Sequence, residues 1–195
     1  MLLQNKKTIL VFFSILACLT GFSQNFKVKD YNTQDGICHP FVYTINQDSR
    51  GYIWAGTGEG LCRFDGFDFS APAVNDSLIG RVAVISYKDA DGNLMFGFNN
   101  GILARWDGTS LQIASQGIEL NSSITGIIQV ESRDYLLATL NNGLILLNQD
   151  LTQGKKVEGI QEMMMTALCS EGKKLLVGSP DGLNIYEMET ADKPA

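Results

Sequence analysis

Short apolar runs alternate with polar turns along most of this chain. Val42-Tyr43-Thr44-Ile45, Val82-Ala83-Val84-Ile85, Ile124-Thr125-Gly126-Ile127-Ile128 and Met165-Thr166-Ala167-Leu168 each open a unit. A polar turn follows, such as Asp48-Ser49-Arg50-Gly51 or Asp89-Ala90-Asp91-Gly92-Asn93. Second apolar runs occupy 52–55, 94–96, 135–138 and 175–177, and third runs occupy 61–64, 102–106, 144–147 and 183–186. The runs are too short, and too often interrupted by glycine, to be helices; they predict strands. Between the second and third runs stand Gly58-Glu59-Gly60, Asn99-Asn100-Gly101, Asn142-Gly143 and Asp181-Gly182. Asn-Gly and Asp-Gly between apolar runs are hairpin signals. A more polar fourth run, such as Phe67-Asp68-Phe69-Ser70, completes each unit.

The unit repeats. Gly60, Gly101, Gly143 and Gly182 are separated by 41, 42 and 39 residues. A period of about forty residues with four strands per repeat is the pattern of a β-propeller. The predicted fold is therefore all-β, a propeller of four-stranded antiparallel blades at roughly 36–71, 78–115, 120–152 and 160–190. The stretch from Gly101 to Trp106 is one residue longer than that from Gly60 to Phe64, which predicts a bulge or register shift in the second blade. Trp54 and Trp106 lie inside strand patterns and read as core between blades rather than as sugar-stacking platforms.

The first 24 residues fall outside the repeat. Lys6 and Lys7 precede an apolar stretch from Thr8 to Leu19, and Gly21, Ser23 and Gln24 form a small, polar exit. This predicts a secretory signal peptide at 1–24, with a hydrophobic part too short to span a bilayer comfortably. Ile15-Leu16-Ala17-Cys18 raises lipidation at Cys18 as a lesser alternative, because Leu16 is bulky and more apolar sequence follows. The remainder, 25–195, is expected to be exported to the periplasm. It keeps 13 basic and 21 acidic residues, a net charge of about −8. That excess of negative charge disfavours nucleic acid or an anionic membrane surface as partner. Three cysteines remain: Cys38, Cys62 and Cys169. Cys38 and Cys62 could meet within the first blade, which sequence does not fix; Cys62 and Cys169 read more readily as small apolar strand residues.

The segment Asn25-Phe26-Lys27-Val28-Lys29-Asp30-Tyr31-Asn32-Thr33-Gln34-Asp35-Gly36-Ile37 leads to Asp48-Ser49-Arg50-Gly51-Tyr52-Ile53-Trp54-Ala55-Gly56-Thr57-Gly58-Glu59-Gly60-Leu61-Cys62-Arg63-Phe64-Asp65-Gly66. Together they resemble the opening of the two-component regulator propeller family. Later units keep parts of the pattern: Asp89, Gly92, Gly97, Gly101 and Trp106-Asp107-Gly108 in the second, and Gly178 and Asp181-Gly182-Leu183 in the fourth. In the third, Thr139 is read as replacing the glycine equivalent to Gly56. The resemblance implies a periplasmic sensor domain that binds a nutrient, commonly a glycan fragment, without catalysis. It also implies a β-sandwich, a membrane helix and a cytoplasmic output, none of which is visible here. Because the family usually has more blades than four, the chain is expected to be the leading part of a larger, here incomplete and open, propeller. Its remaining blades and output would lie beyond residue 195 or on another chain; a four-bladed protein is the alternative.

No catalytic residues, metal ligands or cofactors are expected. Gly56-Thr57-Gly58-Glu59-Gly60 lacks the strand–loop–helix setting of a phosphate loop. Asp89-Ala90-Asp91-Gly92-Asn93 has its glycine two positions too early for a calcium loop, with Asn100 where the bidentate glutamate should be. His39 is the only histidine. Connectors entering the first strands and turns between second and third strands are expected at one rim of the channel. That rim would carry His39, Glu59, Arg81, Asn99, Asn100, Asn141, Asn142 and Asp181, whose amides and carboxylates suit sugar hydroxyls. Competing readings are an adhesive or structural propeller and, less well supported, a propeller lyase or hydrolase.

Overall fold

The computed structural model describes residues 27–73, 78–114, 119–130, 132–160, 164–190 and 193–194. The expected signal peptide, its cleavage site and Cys18 lie outside them. Two compact units are present, Met1–Asp30 and Tyr31–Ala195. Only 27–30 of the first are described, without regular structure.

The second unit is all-β apart from one 3-10 turn at Thr33–Asp35. Its four sheets each hold four antiparallel strands in chain order. The first contains β1 (Val42–Gln47), β2 (Ile53–Thr57), β3 (Gly60–Phe64) and β4 (Phe69–Ser70). The second contains β5 (Ala83–Lys88), β6 (Leu94–Phe98), β7 (Leu103–Trp106) and β8 (Leu111–Ile113). The third contains β9 (Ile124–Gln129), β10 (Tyr135–Thr139), β11 (Leu144–Leu147) and β12 (Gly154–Lys156). The fourth contains β13 (Ala167–Glu171), β14 (Lys174–Ser179), β15 (Gly182–Thr190) and β16 (Lys193–Pro194). First strands of successive blades pack together, β1 on β5, β5 on β9 and β9 on β13, which sets them innermost. The result is an open arc of propeller blades. Two fourth strands, β12 and β16, fall past the blade edges expected at 152 and 190. Both are short and carry lysines rather than an apolar run, so hydrophobic pattern does not mark them.

Three apolar clusters form the core, one at each seam between blades. At each seam a leucine from the third strand (Leu61, Leu103, Leu144) joins an apolar residue from the connector of the next blade (Leu78, Leu120, Ile160). Trp54 and Trp106 belong to the first of these clusters, as expected of core residues.

The register corrects two expectations. The extra residue of the second blade sits in its hairpin, where Phe98 N–H donates to Ile102 O and Gly101 takes a positive φ of 87°. The β6–β7 ladder itself is unbroken, because a longer loop absorbs an insertion without disturbing paired strands. Irregularities fall instead near the start of the first strand in three blades, passing over Tyr43, Val84 and Thr125, and between β15 and β16 in the fourth.

The residue equivalent to Gly56 in the third blade is Ala138, not Thr139. Gly56 pairs with Thr44, Gly97 with Ile85, Gly178 with Ala167, and Ala138 with Gly126. The glycine has thus moved to the opposite strand. A Cβ on Gly56 would lie 2.7 Å from Ala83 O of the next blade, and one on Gly97 2.9 Å from Ile124 Cβ. One residue of each pair must lack a side chain so that the following first strand can close on it.

Candidate functional site: the hairpin rim

Hairpins between second and third strands meet the connectors at one rim, and backbone hydrogen bonds join them. Gly58 N–H donates to Phe41 O, Asn99 N–H to Val82 O and Leu140 N–H to Ser123 O. Several candidate residues are committed to this joinery. Asn142 Nδ2 donates to Leu120 O, and Asn141 N–H donates to Ser122 Oγ. Asn100 Oδ1 accepts from Ile102 N–H within its own turn. His39 Nδ1 accepts from Phe41 N–H at 3.1 Å, and its ring lies against Gly58, where a Cβ would collide with it.

Among the described residues, Glu59 and Asn100 border two different clefts. Glu59 borders a cleft of about 150 Å³ between the first two blades, walled by Leu61, Pro72, Leu78, Ile79 and Phe98. Asn100 borders a cleft of about 360 Å³ between the second and third, with Glu119 and Asn121 beside it and Ile102, Ile113 and Leu120 as apolar lining. Asn141 and Asp181 sit exposed on later hairpins, and Arg81 and Asn99 are exposed beside the first seam. The larger cleft reaches the volume of small-ligand sites and combines one carboxylate, two amides and an apolar floor. Asn121 Nδ2 lies 3.4 Å from Glu119 Oε2, and Asn121 takes a positive φ of 39°, which turns the connector at this point. Sequence reading missed Glu119 and Asn121 because they belong to a connector without a repeat signature.

Two buried carboxylates were also missed, and their role is structural. Asp48 Oδ1 accepts from the amides of Arg50 and Tyr52, while Oδ2 accepts from the indoles of Trp54 and Trp106. Asp89, one repeat later, bonds Asp91 N–H and Asn93 N–H through Oδ1, and Asn93 Nδ2 and the Tyr135 hydroxyl through Oδ2. Burial, and then its bond to Asp89, pushes the Tyr135 hydroxyl well above its usual range. Each aspartate closes its own turn and reaches across a seam. The loop compared above with a calcium site therefore has its first carboxylate fully engaged.

Cys38 and Cys62 form a disulfide, which overturns the reading of Cys62 as a simple apolar strand residue. The bond ties the segment before β1 to β3. Tyr31 packs edge-on against Phe64 and Phe69 in the same region. Cys169 lies on strand β13, as expected, with a free thiol that is exposed.

Residues 36–59 match the family described as two component regulator propeller. Within the chain, residues 36–59 carry that repeat. The regulator propeller pattern is thus explained residue by residue: Asp48 is the turn and latch, Trp54 the latch partner, Gly56 the seat for the next blade. A curated relative, histidine kinase P4 of Formosa agariphila, is 40% identical over 60 residues, which is 30% of this chain and 4% of the relative. Two solved structures of the extracellular domain of one B. thetaiotaomicron protein, described as a one component and as a hybrid two component system, superpose with TM-scores of 0.69 and 0.68. They are 18% and 20% identical, over 85% and 83% of this chain and 24% and 23% of theirs. Virginiamycin B lyase of Staphylococcus aureus shares the fold at a TM-score of 0.54 and 11% identity, over 77% of this chain and 56% of that one. The chain thus spans about a quarter of the regulator domains and a small fraction of the kinase. No helix among the described residues is long and apolar enough to cross a membrane.

Proposed function

We propose that this propeller is the extracellular ligand-recognition part of a two-component-type signalling protein. It takes a small hydroxylated molecule, such as an oligosaccharide fragment, and does not transform it. The regulator propeller repeat is the observation that carries the signalling role. The cleft of Asn100, Glu119 and Asn121 supports the ligand class, since carboxylate and amide groups bond hydroxyls while the apolar floor meets a sugar's C–H face. The disulfide agrees with an exported, oxidising setting. Binding without catalysis is supported by the fate of the buried carboxylates: Asp48 and Asp89 are hydrogen-bonded on both oxygens and hold blades together. The signal would pass to an output region elsewhere in a longer protein.

Calorimetric titration of the protein with a panel of oligosaccharides tests this. Glu119→Gln and Asn121→Gly are each expected to weaken binding by about 10-fold or more without lowering Tm, since glycine accepts the positive φ at 121. Unchanged affinity in both variants removes the cleft as the site. Appearance of a cleaved product decides for the lyase or hydrolase reading instead.

A further inference from the structure

The residue preceding the second strand and one residue of the third strand meet on the first blade, and both change in the third. In the first blade Arg63 pairs with Trp54 and Ser70, and its guanidinium lies 4.7 Å from the centre of the Tyr52 ring. Leu146 holds the place of Arg63 in the third blade, where it pairs with Leu136 and Lys155. Asp134 holds the place of Tyr52, since Val130 N–H donates to Asp134 O as Asp48 N–H donates to Tyr52 O. Two long side chains, one lying over the other, are thus replaced by two shorter ones. A cleft of about 260 Å³ is found there, bordered by Asp134, Leu146, Gln153 and Lys155. The four share one face of the sheet: Leu146 is opposite Leu136 and Lys155, and Asp134 and Gln153 each stand two residues from that row.

Three of these side chains have groups to spare. Gln149 N–H donates to Asp134 Oδ1 at 3.0 Å, which orients the carboxylate and leaves Oδ2 without a hydrogen bond among the described residues. The Gln153 side-chain amide and the Lys155 ammonium also have no partner among the described residues. Asp134 and Lys155 border one cleft yet form no ion pair with each other. Asn148, which also borders it, is engaged within its own turn by Thr152 and Gln153.

We propose that this cleft binds a free α-amino acid with an apolar side chain. Asp134 takes the ammonium, Lys155 and the Gln153 amide take the carboxylate, and the buried Leu146 forms the floor beneath the side chain. A simple cation or a simple anion would answer one of the two charges and leave the other, whereas a zwitterion answers both. The volume lies just below the usual range of ligand pockets, which limits the occupant to a small molecule. The third blade has a neighbour on each side, so the cleft does not depend on how the arc ends. It lies by the turn between third and fourth strands, at the opposite end of the blade from the hairpin rim. The proposal is therefore independent of the saccharide reading.

Calorimetric titration of the purified chain with L-leucine, N-acetyl-L-leucine and isopentylamine tests it. L-Leucine is expected to bind. N-acetyl-L-leucine lacks the ammonium and isopentylamine the carboxylate, and each should bind about 10-fold or more weakly by comparison. Asp134→Asn and Lys155→Gln should each weaken L-leucine binding by about the same factor. Both variants should keep the Tm of the unsubstituted chain, because the asparagine oxygen still accepts from Gln149 N–H and Lys155 is exposed. Absence of L-leucine binding overturns the proposal. So does an analogue that binds as tightly as L-leucine, or an affinity that neither substitution lowers.

Discussion

Asp48 Oδ2 accepts one hydrogen bond from Trp54 Nε1 within its own blade, at 2.9 Å, and another from Trp106 Nε1 in the next, at 3.2 Å. The two indoles lie 4.8 Å apart between centroids, clasped by a single carboxylate oxygen. Asp48→Asn keeps the volume but sets an amide donor against N–H groups, whichever way the amide turns. The expected loss is about 2–3 kcal/mol, from buried donors left without an acceptor. Trp54 and Trp106 are the chain's two tryptophans, so intrinsic fluorescence during urea unfolding reports this seam directly.

Gly126→Ala is expected to destabilise by about 1–3 kcal/mol, since the new methyl would collide with Leu168 of the fourth blade and lie 3.2 Å from Ala138 Cβ. Adding Ala138→Gly relieves the second contact and leaves the first. The double variant should therefore recover only part of the lost stability in thermal melts.

Reduction of Cys38–Cys62 should cost about 2–4 kcal/mol, because it frees a loop closed over a separation of 24 residues. Hydrogen exchange should rise over 31–39 and stay unchanged in the third blade. Without reductant, a thiol reagent should label Cys169 alone among Cys38, Cys62 and Cys169.

The outer corners of the blades predict a response to acid. Asp65 Oδ1 accepts from Phe67 N–H and Asp68 N–H, and the Asp68 amide leads in holding its carboxyl below the usual range. Asp107 is held further below that range, first by the Thr109 hydroxyl and then by the amides of Ser110 and Thr109. A depressed folded value means stabilisation that is present above the unfolded carboxylate pKa and is lost as pH falls through the folded one. In the third blade, Asn148 accepts from Thr152 N–H and Gln153 N–H and does not titrate. Backbone exchange at the corners of the first two blades should accordingly quicken in strong acid relative to this corner, once intrinsic rates are divided out.

Much of this fold was legible because apolar runs and Asx-Gly turns act locally. The positions of Leu61, Leu103 and Leu144 follow from the hairpin glycines preceding them. What stayed hidden depends on contacts across seams. Asp48 and Asp89 look like turn residues in sequence, and their second role needs Trp106 and Tyr135, roughly a repeat away. The exchange of Gly126 for a glycine at 138 is visible only once the strands are paired. At the rim, composition named Asn141 and Asn142 as ligand candidates, but the Asn142 side chain donates to Leu120 O, and Asn141 is tied through its backbone N–H to Ser122 Oγ. Glu119 and Asn121 sit in a connector whose sequence has no periodicity to mark it.

Val130 stands where the first two blades have Asp48 and Asp89: its N–H donates to Asp134 O as theirs donate to Tyr52 O and Asn93 O. Its side chain is buried among Ile160, Met165, Val177 and Met188. The arc is therefore fastened in two ways. The first two seams combine apolar burial with a directed carboxylate, whereas the third relies on apolar contact at this position. Hydrophobic association weakens on cooling. Low temperature should thus loosen the fourth blade before the others, making it the hinge of an otherwise firm three-blade body.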